Sequence, residues 1–279
     1  MRITLQDINR FKTDNKKIIM ITAYDEFSAR VSDAAGIPLL LVGDMLGVRV
    51  QGHDSPIPVT MEQMLYHSEI VARVTERAFV IGDMPFMSYN TPDQALNNAG
   101  RFMQEAGVSC VKLEGGEYIA PVIAHIVKNG IPVMAHIGHS LQNVVQGNAD
   151  QPQEHIISHA QQLLADAKAV QDAGAFAVVL KMVPMQLATI ITEKLHIPTI
   201  GMGSGPACDG QVQIFHDLLG LSPLRRHAKQ YINVGEIAKT ALMQFVDDIQ
   251  TEAFPTDENS LVLDEAELKI LRANGIFEW

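Results

Sequence analysis

Three acidic residues stand at the ends of short apolar runs: Asp44 after LLLVG, Asp83 after AFVIG and Glu114 after CVKL. A carboxylate closing a buried run is costly unless something pairs with it. If the three runs are neighbouring parallel strands, the carboxylates converge, and a hard divalent cation is their natural partner. Mg²⁺ suits such oxygen ligands and leaves room for water and a bidentate oxygen substrate, whereas Zn²⁺ would want more His or Cys. The competing reading is that each carboxylate caps a helix or satisfies loop amides. Lys112 lies two residues before Glu114, so strand alternation sends both side chains into the same space. A lysine there answers either a carboxylate of the site or the carboxylate of a substrate. His136, in MAHIG, is either a packed core residue or part of the same rim.

The elements that must position these residues are marked along the chain. An amphipathic helix, then Gly, then a short apolar strand recurs as SDAAG-IPLLLVGD, MQEAG-VSCVKLEG, VKNG-IPVMAHIG and QDAG-AFAVVLKMV. The glycine in each repeat fits the left-handed residue that closes a helix. Thr60 and Thr91 each precede a Gln by three residues, the capping-box pattern, and Pro92 suits a first helical position. The strand runs are continuously apolar, as in a parallel sheet covered by helices. Strands are expected at 18–24, 39–44, 78–83, 109–114, 132–137, 176–182, 198–202 and 212–216. Eight strands alternating with helices predict a (β/α)8 TIM barrel, whose chemistry sits at the C-terminal ends of the strands. An open doubly wound sheet is the alternative, but the first βα turn, TAYDEFSA, lacks its glycine fingerprint.

The barrel domain is expected over 1–255, with a short N-terminal helix before the first strand and a C-terminal extension over 256–279. Helices are expected near 233–252 and 264–274; Leu268, Leu271 and Ile276 would dock the last one on the barrel or on another subunit. The polar stretch HSLQNVVQGNADQPQE after the fifth strand is long enough for a lid. Gly201-Met-Gly203-Ser-Gly205 follows the seventh strand, where barrels often bind phosphate, although such a turn also serves close backbone approach.

The chain has 279 residues, of which 47% are hydrophobic and 19% charged, which fits a globular protein with a large core. A formal net charge of −11 argues against general nucleic-acid binding. No apolar run approaches a membrane span, and the N-terminus has no signal-peptide pattern. Cys110 and Cys208 do not suggest a disulfide framework, so the cytoplasm is the expected compartment.

The stretches ITAYD (21–25), LVGDMLGVRVQGHDSPIPVT (41–60), DMPFMSY (83–89), VKLEGGE (111–117), AHIG (135–138) and GMGSG (201–205) resemble the 3-methyl-2-oxobutanoate (ketopantoate) hydroxymethyltransferase family. That family belongs to the phosphoenolpyruvate mutase/isocitrate lyase superfamily. The resemblance implies a (β/α)8 barrel assembled as a homo-oligomer, typically a decamer. It implies Mg²⁺ chelated by the keto and carboxylate oxygens of a small 2-oxo acid, so that an enolate forms at C3. The enolate attacks the one-carbon unit of 5,10-methylenetetrahydrofolate and gives 2-dehydropantoate. Carried over by position, Asp44 and Asp83 match the metal-binding aspartates. Glu114 matches the carboxylate that reaches the metal through water. Lys112 and His136 match substrate-binding residues.

Two positions depart from the family pattern. Met45 follows the metal aspartate where the family has a serine that contacts the substrate, which makes the pocket more apolar. Lys181 ends the sixth strand where the family has a glutamate that acts as acid/base at C3. A lysine serves as a base only as its free amine. In the segment after Gly147, Asn148-Ala149-Asp150 replaces the family's Arg-Gly-Asp. Three readings follow: a family member that tolerates these changes; a divergent paralogue with the same enolate chemistry on another 2-oxo acid or electrophile; or a non-catalytic relative. The retained Asp44, Asp83, Lys112, Glu114 and His136 speak against the last.

Overall fold

Every apolar run read as a strand takes part in one closed sheet. The computed structural model describes residues 2–142 and 153–276. The strands are β1 Ile18–Thr22, β2 Leu39–Val42, β3 Phe79–Asp83, β4 Cys110–Glu114, β5 Val133–Gly138, β6 Ala177–Lys181, β7 Thr199–Met202 and β8 Gly210–Gln213. Each pairs in parallel with the next, and β8 closes on β1. This is the expected TIM barrel.

Alternation along the strands sorts the core into two layers. Met20, Leu39, Leu41, Ile81, Met134, Val179 and Val212 fill the barrel interior. Ile21, Leu40, Val80, Val111, Leu113, Ala135 and Leu180 pack outward under the helices. Both faces are therefore dry, which is why the runs are continuously apolar. At the C-terminal ends the interior positions change character, to Asp83, Lys112, Glu114, His136 and Lys181. The helix Leu5–Thr13, capped by Thr4, buries Ile8 completely in the interior cluster, joined by the half-buried Leu5 and Phe11. Lys12 pairs with Asp209 at 2.8 Å, tying this helix to the entry of β8.

Helix punctuation follows the sequence. Thr60 accepts from the Gln63 backbone N–H and Gln63 returns a bond to Thr60, a complete capping box. At Thr91 only the first half forms, because the Gln94 side chain accepts from Asn90 instead. The recurrent Gly36, Gly107, Gly130 and Gly174 all have positive φ.

Two expectations are corrected. The last strand is Gly210–Gln213, not 212–216; Phe215 already begins the short helix Phe215–Leu218. The strand enters at Gly210, where an added Cβ would overlap the Ile18 carbonyl, and its two glutamines hide it from an apolar-run reading. Strict alternation with helices also fails between β7 and β8, where 203–209 carries no helix. Gly203 and Gly205 of that turn have positive φ, and Met182 and Met185 pack against them. The turn thus serves close packing.

The C-terminal helices form at Val234–Gln250 and Glu265–Ala273 with no buried residue. Leu268 and Leu271 are half-buried and Ile276 is exposed, so this face is not fully buried on the barrel, and the other expected partner, a second subunit, is outside a single chain. The lid expected after β5 lies largely over 143–152, outside the described residues. Among the described residues no helix is long and apolar enough to cross a membrane.

One buried ion pair holds the barrel mouth together. Arg49, from the helix Leu46–Arg49 after β2, donates to Asp217 Oδ1 at 2.8 Å; their side chains are 7% and 0% exposed. Ser222 donates to the same carboxylate oxygen. Removing the acid would strand a buried guanidinium. Asp217→Ala is therefore expected to cost about 3–5 kcal/mol of stability, measured by denaturant unfolding; a loss below about 1 kcal/mol would mean the pair is dispensable.

Candidate active site

β3, β4 and β5 are adjacent, and their register puts Asp83 beside Lys112 and Glu114 beside His136. β2 stops at Val42, and the turn that follows brings Asp44 over the same space, where its N–H donates to Asp83 Oδ2 at 3.2 Å. Asp44, Asp83 and Glu114 each offer a carboxylate oxygen within 4.8 Å of the others, and all three are buried. Lys112 Nζ donates to Asp83 Oδ1 at 2.6 Å and to Glu114 Oε1 at 3.0 Å. His136 Nδ1 lies 2.7 Å from Glu114 Oε1, and its Nε2 faces the His139 carbonyl at 3.2 Å.

The first residues of the stretch after β5 complete the shell. Ser140 Oγ donates to Glu114 Oε2 at 2.6 Å, so both Glu114 oxygens are engaged. Gln142 Nε2 donates to Asp44 Oδ2 at 2.8 Å and to the Met84 carbonyl at 3.2 Å, while its Oε1 accepts from the Tyr89 hydroxyl. Sequence reasoning missed Ser140, Gln142 and Tyr89 as site residues. Their only signal was their place in loops next to the acidic strand ends.

All seven residues singled out from the sequence line one cavity of about 830 Å³: Asp44, Met45, Asp83, Lys112, Glu114, His136 and Lys181. Met45 is buried and belongs to the interior apolar cluster. Lys181 sits one strand layer nearer the mouth and is partly exposed.

The charges do not balance. Burial raises Asp83 to about 7, with Asp44 and Glu114 adding to the rise against the pull of Lys112. Burial and then Glu114 raise Asp44. Glu114 runs the other way: burial would raise it, but His136 and Lys112 outweigh that and hold it well below the carboxylate range. We assign Glu114 as ionised because Lys112 stays charged whatever His136 does. Burial works against the Lys112 ammonium, yet Asp83, Glu114 and Asp44 together hold its pKa above the ordinary value. Burial lowers His136 to about 4 despite the pull of Glu114. Three buried carboxyl groups thus face one fixed ammonium; without a cation Asp83 and Asp44 are pushed toward protonation, and the cluster could hold a metal ion. The donor set is all oxygen, as Mg²⁺ prefers.

A closed parallel barrel with a buried acidic cluster at the C-terminal ends of its strands defines the class of barrel enzymes whose site lies at that end, and the cluster could hold a metal ion. The profile of the family "Ketopantoate hydroxymethyltransferase" matches residues 2–257. A protein of Chloroflexus aurantiacus named 3-methyl-2-oxobutanoate hydroxymethyltransferase is 52% identical over 270 residues, covering 96% of each chain. One of the same name from Gluconacetobacter diazotrophicus is 46% identical over 268 residues, covering 93% of this chain and 95% of its own. The chain belongs to the ketopantoate hydroxymethyltransferase family. Among solved structures, a 2,3-dimethylmalate lyase of the PEP mutase/isocitrate lyase superfamily superposes with TM-score 0.61 at 16% identity, over 100% of this chain and 94% of its own. A phosphonopyruvate hydrolase gives 0.60 at 12% identity, over 99% and 97%. At those identities the likeness concerns the fold.

The raised Asp83 carries a pH consequence. Its folded pKa of about 7 lies above the ordinary value of 3.8, so the folded state holds a proton that the unfolded chain releases. Stability from this group is full below the unfolded value and is lost as pH rises through the folded one. Metal-free protein should therefore lose thermal stability between about pH 4 and pH 7, and saturating Mg²⁺ should flatten that decline. Melting curves across this range in EDTA and in Mg²⁺ check it; identical curves would contradict it.

Proposed function

We propose that this chain transfers a hydroxymethyl group from 5,10-methylenetetrahydrofolate to C3 of 3-methyl-2-oxobutanoate, giving 2-dehydropantoate. The observation that carries the reading is the buried Asp44–Asp83–Glu114 cluster with Lys112 across it, set in a family member about half identical to proteins of that name.

Asp44 and Asp83 would hold Mg²⁺ directly, and Glu114, with both oxygens already engaged, would reach it through water. When bound, the cation polarises the keto acid and makes its C3 proton more acidic. Lys112, fixed by two carboxylates, presents positive charge to the oxygen that becomes negative as that proton leaves. His136, held between Glu114 at Nδ1 and the His139 carbonyl at Nε2, keeps the Glu114 carboxylate in place beside the keto acid. Met45, Leu41, Val212 and Ile214 wall the same cavity and suit the branched methyl groups. Lys181 stands where the family resemblance places the residue that exchanges the C3 proton. An ammonium cannot accept that proton; the free amine can.

Homo-oligomerisation, to a decamer by the same resemblance, completes the proposal. The helix Val234–Gln250 supports it with exposed Ile237, Leu242, Phe245, Val246 and Ile249, an apolar surface that needs cover.

The test is deuterium exchange at C3 of 3-methyl-2-oxobutanoate in D₂O, followed by proton NMR with Mg²⁺ or EDTA and without folate. Metal-dependent loss of the C3 signal is expected, and formation of 2-dehydropantoate once methylenetetrahydrofolate is added. No exchange above the protein-free control would overturn the reading. Lys181→Glu places a carboxylate where the proton must go, and is expected to speed the exchange by roughly tenfold or more. A slower variant would favour a paralogue specialised for other chemistry.

A further inference from the structure

The cavity is electrically polarised across its width. In a closed ring of eight strands, β2 and β6 stand opposite one another. Asp44, Asp83 and Glu114 come from the β2–β4 side, and Lys112 answers them there. On the β6–β8 side, Lys181, Arg225 and His227 line the cavity wall, with His139 beside them. Neither Lys181 nor Arg225 has an ion pair or a side-chain hydrogen bond among the described residues.

These groups act on one another. Burial lowers His227, and Arg225 and then Lys181 lower it further against Asp217; burial and Lys181 likewise lower His139 against Glu114. Two cations thus share a partly desolvated wall; Asp44 and Glu114 act on Lys181 only through space, and no carboxylate contacts Lys181 or Arg225 directly among the described residues. Strand register gives their height. Glu114 is level with His136 and His136 with Val179, while Lys181 is level with Gly138 and Met202. Lys181 is thus two residues above the His136 layer, about 6–7 Å toward the mouth at strand rise. A group held there lies beyond the keto-acid end of a ligand. The glycine turn 203–205, packed against Met182 and Met185, leaves recognition on this side to side chains.

We propose that Lys181, Arg225 and His227 form a carboxylate-binding subsite that takes the second anionic group of a ligand whose first end faces the acidic cluster. The inference rests on the reading that this cavity binds a 2-oxo acid at the acidic cluster. Two ligands of that reaction class carry such a carboxylate on a flexible arm: a dicarboxylic 2-oxo acid, and a folate through its glutamyl group. Lys181, the residue that breaks the family pattern, acts here as an ammonium that sets specificity and not as the base at C3.

Isothermal titration with Mg²⁺ present separates the sources. One arm compares 2-oxoglutarate with 3-methyl-2-oxobutanoate; the other compares tetrahydrofolate with tetrahydropteroate, which lacks the glutamyl group. In one arm the carboxylate-bearing ligand is expected to bind roughly tenfold tighter, the size of a charge-assisted contact. That ratio should fall toward one in Lys181→Met and in Arg225→Gln, and persist in Lys181→Arg. A ratio near one in both arms for the wild-type chain overturns the subsite, and needs no variant to fold. An unchanged ratio in folded variants overturns it as well. Failure of the wild-type chain to bind any 2-oxo acid would instead overturn the functional reading.

Discussion

Three carboxylates and one ammonium share a space almost without solvent, and that imbalance of charge constrains the rest of the site. Water cannot stabilise these charges, so protein groups must. Lys112 spans Asp83 and Glu114, the Asp44 amide reaches Asp83, Ser140 serves Glu114, and Gln142 serves Asp44. What remains is a deficit of positive charge in an all-oxygen cage, the condition under which a divalent cation binds. The same arrangement sets the chemistry, since charge that balances carboxylates at rest also stabilises an oxygen that gains charge during reaction.

The barrel delivers this arrangement through parity. A strand residue is inward or outward by odd or even position, so an inward Lys112 fixes an inward Glu114, and register with β5 then fixes His136 beside it. The interior is dry up to that layer and polar above it. Lys181 occupies an inward position on β6, next to β5 and across the barrel from β2, one layer higher than His136. Its character divides the cavity into an acidic floor and a basic upper wall.

Much of this was legible in the chain because it is local. Continuous apolar runs reported two-sided burial, terminal carboxylates reported the rim, and the two-residue spacing of Lys112 and Glu114 reported a shared direction. The family segments then gave roles to residues that spacing alone only grouped. β8 was misplaced because its strand character comes from pairing with β1 and β7, with Gly210 against Ile18, and its own sequence is half polar. Tyr89, Ser140 and Gln142 escaped notice because loop residues acquire a role only from what the fold sets beside them. Arg225 and His227 belong to the same case, reaching the cavity from a segment after β8 that no motif marks.

If the acidic cluster is a cation site, titration with Mn²⁺ followed by its electron paramagnetic resonance signal gives one saturable ion per chain, displaced by Mg²⁺ and lost in a folded Asp83→Asn variant. Absence of saturable binding, or equal binding by that variant, would contradict it.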